Sequence, residues 1–192
     1  MNQNKIRLFI AFHLPDNVRS HIRDLQAQLR SGGLHLRWVA PENIHLTLKF
    51  LGDINPSDTD RIAQAMSQAA QGTSALHLGA KGLGVFPTVR KARVLWIGLN
   101  GDTHDLIGLQ NRLDDRLAEQ GYEKESRAFK AHLTIARAKE SPDPKQLIEA
   151  MEKFATFASP DFSAGELILW QSQLKPSGAV YTKLKSVFLT HS

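Results

Sequence analysis

The chain has 192 residues, 42% of them hydrophobic and 22% charged, with a formal net charge of +5 and no cysteine. A chain of this length buries a sizeable core, while the missing thiols exclude disulfides and thiolate metal centres. Its apolar runs are too short to cross a membrane and no signal-peptide core precedes the first strand, which predicts a cytoplasmic protein; the positive balance favours an anionic partner.

Ile6 to Phe12 is almost continuously apolar, as in a strand buried on both faces. Pro15-Asp16 opens a helix over Asp16 to Leu29, with Val18, Ile22, Leu25 and Leu29 at helical spacing, and Gly32-Gly33 ends it. Leu34 to Val39 alternates like an edge strand, and Pro41-Glu42 turns the chain into the strand His45-Leu46-Thr47-Leu48-Lys49-Phe50. A helix over Asp58 to Ala70 follows, then a strand over Leu76 to Val85 interrupted by Gly79, Gly82 and Gly84. Phe86-Pro87 begins an exposed basic loop. Val94 to Leu99 reads as another buried strand. In the next helix, His104 to Ala118, the leucines 106, 109, 113 and 117 form one apolar stripe.

A charged connection, Gly121 to Lys130, leads into a second strand, His132-Leu133-Thr134-Ile135-Ala136-Arg137. A helix over Lys145 to Phe157 comes next, and the chain closes on a hairpin of Leu167 to Leu174 and Val180 to Leu189 across Pro176-Ser177-Gly178. The two His-Leu-Thr segments lie 87 residues apart (132 − 45), the apolar strands beginning at Arg7 and Arg93 lie 86 apart, and Met66 and Met151 lie 85 apart. This nearly constant offset predicts a duplication, halves of about 1–92 and 93–192 folding as two βαβ-like lobes about a pseudo-two-fold axis, in one domain over 1–192.

Period-two alternation puts His and Thr of each copy on one strand face. Across a two-fold axis the copies would oppose an imidazole to an imidazole, an arrangement suited to in-line displacement at phosphorus. One neutral ring takes a proton from the entering hydroxyl while the other, protonated, gives one to the departing alkoxide. Thr47 and Thr134 would donate hydrogen bonds to the non-bridging oxygens. His13, His21, His35, His77, His104 and His191 lack such a repeat and read as structural or surface residues. Zinc is disfavoured: there is no cysteine, no His-Glu-x-x-His and no carboxylate within either His-Leu-Thr segment.

Two His-x-Thr motifs with apolar flanks, at 45 and 132 of a basic chain, resemble those of the two-histidine (2H) phosphoesterases. The copies His-Leu-Thr-Leu-Lys-Phe-Leu-Gly and Ala-His-Leu-Thr-Ile-Ala-Arg look like those of the RNA 2′,3′-cyclic phosphodiesterases, also called 2′-5′ RNA ligases. The resemblance implies an α+β, bilobal fold: each lobe an antiparallel sheet packed by helices, the cleft between the sheets, and terminal strands free to cross between lobes. It implies metal-independent opening of a 2′,3′-cyclic phosphate at an RNA 3′ end to a 2′-phosphomonoester, with 2′-5′ joining as a side reaction and no cofactor. His45 would be the general acid protonating the ribose O3′ and His132 the general base activating water, an assignment that comes from the family. Thr47 and Thr134 would hold phosphate oxygens, Arg137 would clamp the phosphoryl group and Phe50 would stack on the terminal base. The expected partners are RNA 3′ ends, tRNA halves among them, met by a monomer.

Phe50 and Arg137 both follow their histidine by five positions, so strict alternation aims them away from it unless each strand ends or bulges first. Lys49, with the parity of His45, is the fallback cation in the substrate site. A non-catalytic RNA-end-binding module and a phosphodiesterase for small cyclic nucleotides or ADP-ribose cyclic phosphate stand as alternatives.

Overall fold

The structure is a computed structural model that describes residues 5–176 and 178–189; Ser177 and His191 lie outside the described residues. In chain order the elements are β1 (Ile6–His13), α1 (Asp16–Ser31), β2 (Arg37–Trp38), β3 (His45–Ile54), α2 (Thr59–Ala70), β4 (Leu76–Phe86), β5 (Val94–Gly101), α3 (Thr103–Glu119), β6 (Leu133–Arg137), α4 (Pro144–Lys153), β7 (Phe162–Ala164), β8 (Glu166–Lys175) and β9 (Gly178–Phe188). The apolar stripes of α1 and α3 are fully buried, as their spacing requires. The predicted edge strand over 34–39 shrinks to Arg37–Trp38. Helix α4 stops at Lys153, four residues before Phe157, because the chain there is taken up by β4: Gly82 N donates to Phe157 O and Ser159 N to Ala80 O, each at 2.9 Å. β7, three residues long, is too short to show a period in sequence.

All strand pairs are antiparallel, in the order β7-β4-β5-β6-β3-β1-β8-β9, with β2 added on β6. Strands change sides between the halves of the chain. β4 pairs with β5, while β8 and β9 join β1 and β3. One lobe is therefore β3, β1, β8 and β9, and the other β6, β5, β4 and β7 with β2. The lobes meet at a single strand pair of residues, Leu46 opposite Leu133, the middle residues of the two His-Leu-Thr copies. Both leucines are fully buried and belong to one continuous apolar cluster shared with the helices. Burying each such side chain contributes about 1.5–3 kcal/mol.

Beyond this seam each copy contains a β-bulge. Along β3, Thr47 faces Ala11 and Lys49 faces Ile10, so Leu48 is the extra residue; along β6, Thr134 faces Trp96 and Ala136 faces Leu95, so Ile135 is. The bulge places two consecutive side chains in the core and then reverses the parity. Leu48 and Lys49 are buried and Phe50 exposed, and Ile135 and Ala136 are buried and Arg137 exposed. A buried polar residue on a helix braces each region. Gln26 of α1 donates its amide to Ile135 O at 3.0 Å and Val39 O at 2.8 Å. Asp114 of α3 accepts from Lys49 Nζ at 2.5 Å and Glu125 N at 3.0 Å.

Lys49 is thus not a substrate-facing cation. Only 4% exposed, it points toward Asp114 of α3, and in the connection after that helix it donates to Glu123 O at 2.6 Å and lies 3.6 Å from Glu125. The bulge at Leu48 turned it away from the His45 face.

Candidate active site

His45 opens β3 and His132 immediately precedes β6. Carried one residue either way from Leu46 and Leu133, the antiparallel register sets His45 against Thr134 and Thr47 against His132. Since the leucines face the core, alternation sends all four polar side chains to the other face. In an ideal ladder the two histidines, as diagonal neighbours, stand roughly 7–8 Å apart, so both rings reach one tetrahedral group held between them. The four residues line a common cleft of about 300 Å³ together with Phe50 and Arg137.

Both rings are held in the same way. His45 Nδ1 donates to Asn43 O and His132 Nδ1 to Lys130 O, each at 2.7 Å and each to the carbonyl two residues earlier. A carbonyl can only accept, so Nδ1 carries the hydrogen and Nε2 is the nitrogen left for proton exchange. Asn43 is itself pinned, its amide donating to Ala179 O of β9 at 2.9 Å.

The rings differ in what surrounds them. Phe9 stacks on His45 at 4.6 Å between centroids and Tyr181 meets it edge-on at 5.2 Å. Phe86 and Trp96 meet His132 edge-on at 5.0 and 6.2 Å. The Lys130 ammonium sits 4.5 Å from the Trp96 ring centre. Trp96 lies flat on β4 because position 84 is glycine; a Cβ there would come within 2.2 Å of the indole.

Burial pushes His45 down to about 4, against the pull of the Asn43 carbonyl and helped by the charges of His13 and Arg137. Burial also lowers His132, opposed by the Lys130 carbonyl and reinforced by Arg137 and Lys130. Both imidazoles are therefore neutral at pH 7 in the free protein. A phosphate anion seated between them acts the other way, because an opposite charge favours the protonated ring. Burial raises the Tyr181 phenol, which stays a hydrogen-bond donor at neutral pH.

Phe50, 62% exposed, and Arg137 reach the cleft because the bulges reversed their parity. Sequence reasoning missed Asn43, Phe9, Tyr181, Phe86, Arg7 and Ser172, which line the cleft together with Val39 and Val94, and Trp96 behind His132. A signal existed for some of them. The ladder registers match Phe9, opposite Phe50, with Val94, opposite Arg137, 85 residues later, which is the offset of Met66 and Met151. Nothing marked Tyr181, whose strand arrives from the C-terminal hairpin. Among the described residues no three His, Cys, Asp or Glu cluster in a way that suits a metal ion.

The repeat is recognisable beyond this molecule. A family model described as LigT-like phosphoesterase matches residues 12–96 and again 97–181, one copy of the histidine segment in each. The chain belongs to the LigT-like phosphoesterases. Among members of this family, it is 32% identical over 181 residues to a protein of Methanothermobacter thermautotrophicus named RNA 2′,3′-cyclic phosphodiesterase, spanning 94% of this chain and 97% of that one. A protein of the same name from Aquifex aeolicus is 34% identical over 187 residues, spanning 96% and 97%. The fold matches the apo crystal structure of Escherichia coli LigT with a TM-score of 0.76 at 26% identity, covering 98% of this chain and 99% of that one. That LigT has also been solved with 3′-AMP.

Proposed function

We propose that this LigT-like phosphoesterase hydrolyses the 2′,3′-cyclic phosphate at RNA 3′ ends to a 2′-phosphomonoester. The observation that carries the reading is the pair of imidazoles in one cleft, each with Nδ1 tied to the carbonyl two residues before it and Nε2 free. The names of the relatives, spread over archaea and bacteria, supply the substrate.

His132 Nε2 takes a proton from water as the water oxygen bonds to phosphorus. The P–O3′ bond breaks on the opposite side, and His45 Nε2–H delivers its proton to O3′. The products are a 3′-hydroxyl and a 2′-phosphomonoester, and each proton transfer is worth ~10²–10⁴-fold. Thr47 and Thr134 donate to the non-bridging oxygens and Arg137 balances the charge that builds on them. Phe50 offers a stacking surface to the terminal base. The acid and base assignment rests on the resemblance of the motifs, because the lobes hold their rings alike. With a 5′-hydroxyl in place of water the same steps form a 2′-5′ linkage.

One chain contains both histidines, so the reading is of a monomer, acting in the cytoplasm on fragments such as tRNA halves. No helix among the described residues is long and apolar enough to cross a membrane. The test is an oligoribonucleotide ending in a 2′,3′-cyclic phosphate, incubated with pure protein in EDTA. Conversion to the 2′-phosphate is expected; an untouched terminus would reject the proposal.

A further inference from the structure

β2 brings one more guanidinium to the rim of this cleft. Arg37 stands directly opposite Arg137 in the β2–β6 ladder, and paired residues of antiparallel strands project from the same face. Val39, two residues on, bonds its N–H to Ile135 O at 2.9 Å and lines the cleft, so period-two alternation gives Arg37 that same face. Both arginines are exposed, and among the described residues neither has a carboxylate within ion-pairing distance or a side-chain hydrogen bond. Like charges directly opposite each other in a ladder are destabilising. The fold nevertheless holds two there.

The other lobe provides a control. The position 87 residues later is Lys124, at the rim near Phe50, and its charge is neutralised by Asp115. The cation beside the aromatic rim residue is thus paired, while the cation beside Arg137 is left open for an anion from outside the protein.

We propose that Arg37 binds a second phosphate of the substrate, the 5′-phosphodiester of the terminal nucleotide, while Arg137 holds the reacting one. This rests on the phosphodiesterase reading and adds to it a preference for RNA ends over mononucleotides without a 5′-phosphate.

The subsite is read first without turnover, by calorimetry with adenosine 2′,5′-bisphosphate and adenosine 2′-monophosphate. In Arg37→Gln the ratio of the two affinities is expected to fall about tenfold toward one, with Arg37→Lys keeping part of it. The salt dependence of bisphosphate binding should lose about 0.7 from its log–log slope, the share of one single-strand phosphate contact. Arg23→Gln, an exposed charge on the outer face of α1, should keep the ratio. The melting temperature of Arg37→Gln is expected to stay level or rise as the like-charge contact is relieved. An unchanged ratio in Arg37→Gln, or a loss accompanied by a lower melting temperature, overturns the proposal. Absence of cyclic-phosphate hydrolysis in the wild type, with the binding ratio intact, would reject the phosphodiesterase reading and leave the subsite standing.

Discussion

The two walls of the cleft share a plan and differ in their trim. Each presents a histidine tied to the carbonyl two residues before it, then a threonine, then a bulge that swings one more side chain into view. The first wall wraps its histidine in Phe9 and Tyr181 and ends on Phe50; the second sets Phe86 and Trp96 beside His132 and ends on Arg137. What is common to both is what a displacement at phosphorus needs twice, a proton carrier and a hydroxyl. What differs is what a nucleotide has on one side only: a base at one end and charged phosphate at the other. On the proposed reading, duplication supplied the reaction, and divergence just after the bulges supplied the orientation.

The largest effect expected breaks the common part. His45→Ala and His132→Ala should each lower kcat by ~10²–10⁴-fold with the fold intact by circular dichroism; a variant near full rate would remove that ring from the chemistry. Next comes the brace beneath the first bulge. Lys49→Met leaves Asp114 buried without its cation and should cost about 3–5 kcal/mol in urea denaturation, much of it recovered by adding Asp114→Leu. A cost below 1 kcal/mol would mean that Lys49 does not hold this side of the cleft.

The walls should also separate on titration. His45 is neutral when folded down to about pH 4 and takes a proton near 6.5 when unfolded, so the unfolded state gains protons first. Its contribution to stability is complete above pH 6.5 and is lost as pH falls toward 4, by about 3 kcal/mol in all. In ring NMR, His45 should titrate below His132, and inorganic phosphate should move both midpoints upward; rings that titrate at 6.5 and ignore phosphate would contradict the burial described. The smallest effect sharpens the difference in trim. Phe50→Ala should weaken binding of a terminal nucleotide by about 1–3 kcal/mol, seen in KM more than kcat, whereas Arg137→Gln should act mainly on kcat.

Much of the plan was legible because it recurs. Two His-Leu-Thr copies at a fixed offset disclosed the duplication and the family resemblance, and with them the cleft and its four polar residues, while apolar spacing disclosed the helical stripes. Lys49 was misread because a bulge cannot be seen in alternation. Leu48 and Ile135 look like ordinary strand residues, and the partners that brace these regions, Gln26 and Asp114, come from helices far away in sequence. Tyr181 was invisible for a similar reason: it stands beside His45 because β8 pairs with β1, a contact between the two ends of the chain.

That exchange of strands reaches further than the site. Since β4 completes the sheet of the second half, and β8 and β9 that of the first, a break in the turn between β4 and β5 would leave neither fragment with the neighbours its strands require. The protein is built like an intertwined dimer whose subunits have been spliced end to end. The splice is what freed its two copies to become unlike.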